Sequence, residues 1–310
     1  MMNRQQLQQL MTVATDAAYQ AGQYIANVDR RSIAVMTKAE GYSAASQVVT
    51  QVDLTCEAMI LKALQPSMAA FDIAFLGEES ASDYAIAEHP RLSKPYFWCV
   101  DPLDGTLPFT ENVPGYAVSI ALVSRNGEPL LGVVYDPVSA TLYQGMNPAV
   151  ALGEPALLLR QRKTWRLAKE QAQQPLSVFF DRSFTAQDEF PAIKGAMSDI
   201  AAALGYAGIK CFDQAGSVMN AVNMLERAPA CYFKFPRAKP GGGSLWDVAA
   251  TAALASAGGA WVSDMDGQPL QLNASDTLLM NRRGALYASN EAIARQVMLV
   301  YQQHRQSAAK

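Results

Sequence analysis

Histidine is nearly absent from this chain: 310 residues hold only His89 and His304. His89 falls in the polar run AEHPRLSKP and His304 near the C-terminal end, so both are expected in solvent. A Ser-His-Asp hydrolase and an imidazole-rich metal site therefore lack their main ingredient. Cysteine is also scarce. Cys56, Cys99, Cys211 and Cys231 are far apart and form no CxxC pair, which argues against a thiolate zinc site and a disulfide framework. Any metal should then be a hard cation held by carboxylates.

Charge is sparse as well. Charged residues make up 17% of the chain and the net charge is −3. Without a basic surplus, binding to a nucleic-acid polymer is not expected. No run of apolar residues is long and uncharged enough to span a bilayer. The most apolar stretch, 245–262, is interrupted by Asp247 and a glycine pair. The opening MMNRQQLQQLMTVATDAAYQ has no secretory apolar core. No membrane association is expected, and the cytoplasm is the expected location. What the chain does have is apolar material: half its residues are hydrophobic, enough for a large core and for about two domains' worth of structure.

Periodicity divides the chain into two parts. Residues 5–28 place Leu7, Leu10, Met11, Ala14, Ala18, Ala21, Ile25 and Val28 on one helical face. The small polar residues 39–50 read as a loop, and 54–65 as a second helix. Short apolar runs then follow: IAFL (73–76), YFWCV (96–100), YAVSIALVS (116–124), LLGVVYD (130–136) and TLYQG (141–145). Turn residues separate them, as in strands of a sheet. Residues 146–175 read as a weakly structured connection. Beyond it, strand and helix patterns alternate: strands at 177–181, 209–212, 230–235, 260–263 and 285–289, helices near 187–204, 217–227 and 245–257, and a final helix. The expectation is an N-terminal α+β part over 1–148 and a C-terminal α/β part over 149–310.

The segment Trp98-Cys99-Val100-Asp101-Pro102-Leu103-Asp104-Gly105-Thr106 is the most informative. An apolar strand runs into two aspartates, and two carboxylates at the end of a buried strand repel unless a cation lies between them. Gly105 lets the backbone turn, so that the N–H groups of 105 and 106 could face an anion. Glu78 and Glu79 follow another apolar strand, Asp247 opens an apolar helix, and Asp53 lies in VVTQVDLTCEAM. Each alone has an ordinary explanation: a solvated acidic patch, a dipole partner, a helix cap. Together they set carboxylates at the ends of apolar elements in a chain short of charge.

GEES, WCVDPLDGT, the GVVYDP run and GSLWDVAATAALASAGG occur in an order and spacing that resembles the inositol monophosphatase family, from about Lys38 to Asn290. That superfamily includes 3′(2′),5′-bisphosphate nucleotidases and certain fructose-1,6-bisphosphatases. The resemblance implies a layered α-β-α-β-α sandwich with the active site between its two parts. It implies two to three Mg²⁺ ions. Glu78, Asp101 and the Leu103 carbonyl would hold the first, Asp101, Asp104 and Asp247 the second, and Glu78 with water a weaker third. Asp53 and Thr106 would orient and deprotonate the attacking water, with Glu78 counted among the catalytic residues. The N–H groups of Gly105 and Thr106 would bind the phosphate, and Gly216-Ser217 at the start of a helix would form a second anion site. Many relatives are homodimers, and lithium inhibits some.

Three departures stand out. Leu107-Pro108 replaces a more polar pair, the loop before Asp53 is long enough to blur the match of Lys38, and Pro240 stands where inositol-specific members carry an acidic residue. Lys234, Arg237 and Lys239 in KFPRAK form either a solvated loop or a set of contacts to a second substrate phosphate. The expectation is a Mg²⁺-dependent phosphomonoesterase acting on a small phosphorylated metabolite, leaning to a bisphosphorylated nucleotide or sugar. Inositol-1-monophosphatase activity is the alternative. A non-catalytic regulatory protein that binds phosphometabolites is the alternative of another class.

Overall fold

The computed structural model describes residues 2–30, 35–37, 48–147, 156–171 and 173–308. In chain order its main elements are α1 (Arg4–Asn27), β1 (Val35–Thr37), β2 (Val48–Thr50), α2 (Gln51–Phe71), β3 (Ile73–Gly77), β4 (Tyr96–Asp104), α3 (Thr106–Thr110), β5 (Ala117–Ser124), β6 (Pro129–Asp136), β7 (Thr141–Met146), β8 (Leu157–Arg160) and β9 (Lys163–Thr164). The second part contains β10 (Leu176–Phe179), α4 (Arg182–Thr185), α5 (Phe190–Ala203), β11 (Ile209–Phe212), α6 (Ser217–Leu225), β12 (Ala230–Lys234), α7 (Leu245–Gly258), β13 (Trp261–Ser263), β14 (Ala285–Ala288) and α8 (Glu291–Ala308).

The first helix forms as its periodicity requires. Asn3 caps it and Gln6 completes a capping box, while Leu7, Leu10, Met11, Ala14, Ala18, Ala21 and Ile25 are buried. Each large apolar side chain withdrawn from water there contributes about 1.5–3 kcal/mol. With α2, this helix covers one face of a seven-stranded sheet ordered β3-β4-β5-β6-β7-β8-β9. Its first pair is parallel and the rest are antiparallel. On the other face lie α6 and the alanine-rich α7, sandwiched against a five-stranded sheet ordered β11-β10-β12-β14-β13. Helices α5 and α8 close the outer face of that second sheet. The result is the expected α-β-α-β-α sandwich.

Four expectations need correction. Residues 156–164 are not a loose connection, because β8 and β9 pair onto β7 and extend the first sheet past the expected boundary at 148. The second helix is longer than its pattern, running over Gln51–Phe71 with Pro66 inside it. His89 is not solvated: it is 3% exposed, its Nδ1 accepts from the Arg91 N–H, and burial pulls its pKa down to about 4. His304 is half-buried and its ring lies against Phe235. Lys38 and most of the expected 39–50 loop lie outside the described residues.

Candidate active site

Two aspartates three residues apart on a regular strand point to opposite faces. Here they do not, because the ladder between β4 and β5 slips. Asp101 pairs with Ser119 and Asp104 with Ala117, so three steps on one strand oppose two on the other. The extra residue is a β-bulge, and Pro102, which has no N–H to give the ladder, sits inside it. Asp101 Oδ1 accepts from the Leu103 N–H at 3.0 Å and fixes the bulge. Both carboxylates thereby reach one side of the sheet, at the carboxyl end of the parallel β3–β4 pair. Glu78 follows β3 at the same end, and its N–H donates to the Val100 carbonyl at 3.0 Å.

The third aspartate arrives on α7. Asp247 closes a capping box with Ser244, accepting from its N–H at 3.2 Å. One oxygen from each of Asp101, Asp104 and Asp247 can be chosen so that all lie within 4.8 Å of one another. Glu78, Leu103, Gly105, Thr106, Gly216, Ser217, Lys234 and Arg237 line the same cavity, of about 190 Å³. Burial raises the Asp104 carboxyl well above its ordinary value, and Asp247 adds to that rise. Burial also pushes Asp247 up to about 6, against the pull of Lys234 and with help from Glu78. Such a cluster calls for positive charge. A donor set of carboxylates and one nearby carbonyl, with no thiol or imidazole lining the cavity, fits a hard divalent cation such as Mg²⁺.

Beside the trio lies a second constellation. Thr50 caps α2, and both its N–H (2.8 Å) and its hydroxyl (2.6 Å) donate to Asp53 Oδ2. The other oxygen, Oδ1, accepts from Thr106 Oγ1 at 3.0 Å, while the Leu103 carbonyl lies 3.2 Å from the same hydroxyl. Asp53 is thus both a helix cap and the partner of a threonine on the cavity wall. Burial raises its pKa even though the Thr50 and Thr106 hydrogen bonds oppose the rise. Gly105, with φ +82°, makes the turn that presents Thr106.

The N-terminus of α6 differs from expectation. Its Ser217 and Val218 N–H groups donate to Asp104 at 3.1 and 3.0 Å, so a protein carboxylate takes the place expected for a substrate anion. The basic run differs too. Lys234 is no rim cation: it is 7% exposed and faces Asp181 and Ser217. Arg237 is exposed and borders the cavity. Lys239 is exposed and lines neither this cavity nor the one beside it.

Sequence reasoning missed two carboxylates. Glu57, buried on α2, accepts the N–H groups of Glu79 and Ser80 at 2.8 and 2.9 Å and so fixes the loop that carries Glu78. Its signal was its spacing: four residues after Asp53, it shares that residue's helical face. Asp181 ends the run SVFFD much as Asp101 ends YFWCVD, and it binds Lys234 at 2.8 Å and the Tyr232 hydroxyl at 2.7 Å.

Layer order and site together define a layered α/β sandwich with a buried carboxylate cluster, built from the end of β4 and the start of α7, that fits a hard cation. A family profile described as the inositol monophosphatase family matches residues 6–301. The chain belongs to that family. Among curated relatives, it is 37% identical to protein qutG of Emericella nidulans over 157 residues, a match spanning 48% of this chain and 44% of that protein. It is 29% identical to the 3′(2′),5′-bisphosphate nucleotidase CysQ of Shigella flexneri over 231 residues, spanning 74% of this chain and 82% of that one. Its fold matches the inositol monophosphatase structure from Anabaena with a TM-score of 0.64 at 22% identity, covering 96% of each chain.

Proposed function

We propose that this protein is a Mg²⁺-dependent phosphomonoesterase that hydrolyses a small bisphosphorylated nucleotide or sugar. The observation that carries the reading is the convergence of Asp101, Asp104 and Asp247 on one cavity beside the Asp53–Thr106 pair. Glu78, Asp101 and the Leu103 carbonyl would hold one ion, and Asp101, Asp104 and Asp247 another. Bound there, such ions supply the Lewis acidity that activates water and stabilises charge on the leaving oxygen. The protein's own groups do the rest. Thr106 Oγ1 takes a proton from the attacking water as its own proton moves to Asp53, whose raised pKa suits it to accept. Gly105 and Thr106 N–H groups receive the phosphate oxygens. No cysteine or histidine lines the cavity, in keeping with direct in-line displacement.

The place of Arg237 supports a second anionic group on the substrate. Arg237 lies between this cavity and a neighbouring one of about 540 Å³, bordered by Arg282, Arg305, Phe184 and Tyr301 and by the acidic Asp181 and Glu189. Arg237→Gln should raise KM for adenosine 3′,5′-bisphosphate by roughly tenfold, the equivalent of one charge-assisted hydrogen bond. KM for inositol 1-phosphate should stay the same. Equal effects on both would contradict a role for Arg237 in holding a second phosphate. The assay for the function itself is phosphate release from adenosine 3′,5′-bisphosphate, fructose 1,6-bisphosphate and inositol 1-phosphate, with Mg²⁺ and with EDTA. Preference for inositol 1-phosphate would favour the alternative substrate, and tight phosphate-ester binding without release would favour a regulatory protein.

The site also makes stability depend on pH. Asp53, Asp104 and Asp247 have folded-state pKa values raised above the unfolded one. In EDTA their contribution is full below the ordinary carboxylate range and is lost as pH rises through each folded-state value, about 6 for Asp247. With Mg²⁺ the trend should reverse, because the ion favours the ionised form. Melting curves from pH 4 to 8 in EDTA and in Mg²⁺ test this; parallel curves would contradict it.

A further inference from the structure

Lys234 ends the central strand of the second sheet, and its side chain is 6% exposed. Its ammonium is 2.8 Å from Asp181 Oδ2, donates to Ser217 Oγ at 2.7 Å and lies 3.8 Å from Asp247 Oδ2. The corner is tight. A Cβ on Gly243, whose φ is +89°, would stand 2.7 Å from Asp247 Oδ2 and 2.8 Å from Lys234 Nζ. The Gly243 backbone thus packs against both the ammonium and the carboxylate with no room for a side chain, and Lys234 is also attracted to Asp104. Asp181 and Ser217 hold the ammonium at closer range than Asp247 does, so it does not depend on Asp247 to stay in place.

A lysine serving only a substrate phosphate would keep its ammonium open to the cavity. This one is already held, against a member of the cation-binding trio. A fixed positive charge there lowers the repulsion among the carboxylates when no ion is bound. It also repels a divalent ion that shares the same oxygens. We propose that Lys234 is a resident counter-cation of the Asp101–Asp104–Asp247 cluster, which relieves the metal-free site and sets a lower affinity for the divalent ion entering there. The inference rests on the cation-site reading above and adds to it a residue that tunes that site.

The test is calorimetric titration of EDTA-stripped protein with MgCl₂, comparing wild type, Lys234→Gln and Lys234→Met. Removing the charge should tighten the Mg²⁺ binding step that belongs to Asp101, Asp104 and Asp247 by at least about tenfold, and should lower the melting temperature in EDTA. Glutamine keeps a donor for Asp181 and Ser217, so Lys234→Gln decides the matter if the methionine variant does not fold. A merely structural lysine would loosen the site when replaced, the opposite sign. Unchanged or weaker Mg²⁺ binding by a folded variant would overturn the proposal while leaving the cation site standing. No Mg²⁺ binding by the wild type would instead overturn the cation-site reading itself.

Discussion

Asp104→Asn should abolish turnover while leaving the fold intact. The substitution keeps the volume of the side chain. Its one oxygen still accepts from one of the two N–H groups at the start of α6 that Asp104 now takes, Ser217 to Oδ1 and Val218 to Oδ2, at the cost of the other. What it removes is a charge shared with Asp101 and Asp247. If cation stabilisation of the transition state is worth several kcal/mol, and each 1.36 kcal/mol is tenfold in rate, activity should fall by roughly 10³-fold or more. The stability change should have the opposite sign in EDTA. There the carboxylate is held out of water beside another carboxylate, and both effects oppose its charge. The variant should therefore melt no lower than wild type in EDTA at pH 8, and lower than wild type in Mg²⁺. Near-normal turnover would count heavily against the assignment.

Thr106→Val separates proton transfer from cation binding. Valine has the shape of threonine without the hydroxyl, and the Thr106 hydroxyl is the link between the cavity and Asp53 Oδ1. Loss of a positioned proton acceptor costs about 10²–10⁴-fold in rate. The expected result is a drop of that size in kcat, with Mg²⁺ affinity close to wild type because the three cation-binding aspartates are untouched. Thr106→Ser restores the hydroxyl and should recover most of the rate. Equal activity of the valine variant would remove Thr106 and Asp53 from the proton path.

The carboxylate centre was legible in the sequence because it sits at the ends of apolar runs. WCVDPLDGT announces a buried strand that ends in acid, while the bulge that turns Asp101 and Asp104 to one side shows only in the β4–β5 register. The ordinary explanations for Asp53 and Asp247 also hold: both are capping-box residues, and the same carboxylates face the cavity. Local pattern could not reveal what depends on distant partners. Lys234 reads as the first of three cations in KFPRAK, yet its neighbours Asp181, Ser217 and Asp247 come from a strand end and two helix starts elsewhere in the chain. The α6 N-terminus reads as an open anion site because nothing near it in sequence shows that Asp104 fills it. His89 reads as solvated because its neighbours are polar, although it packs beside the fully buried Arg91, which bonds to Asn273 and Ala274. Strands β8 and β9 are short and carry scattered charge, so only their pairing with β7 reveals them.

A crystal grown from EDTA-treated protein and soaked in MnCl₂ gives the most direct test of the cation centre. Anomalous scattering should show a peak bounded by Asp101, Asp104 and Asp247 and another beside Glu78, Asp101 and the Leu103 carbonyl. A map with no peak at these carboxylates, at a Mn²⁺ concentration that supports or inhibits phosphate release, would contradict the account.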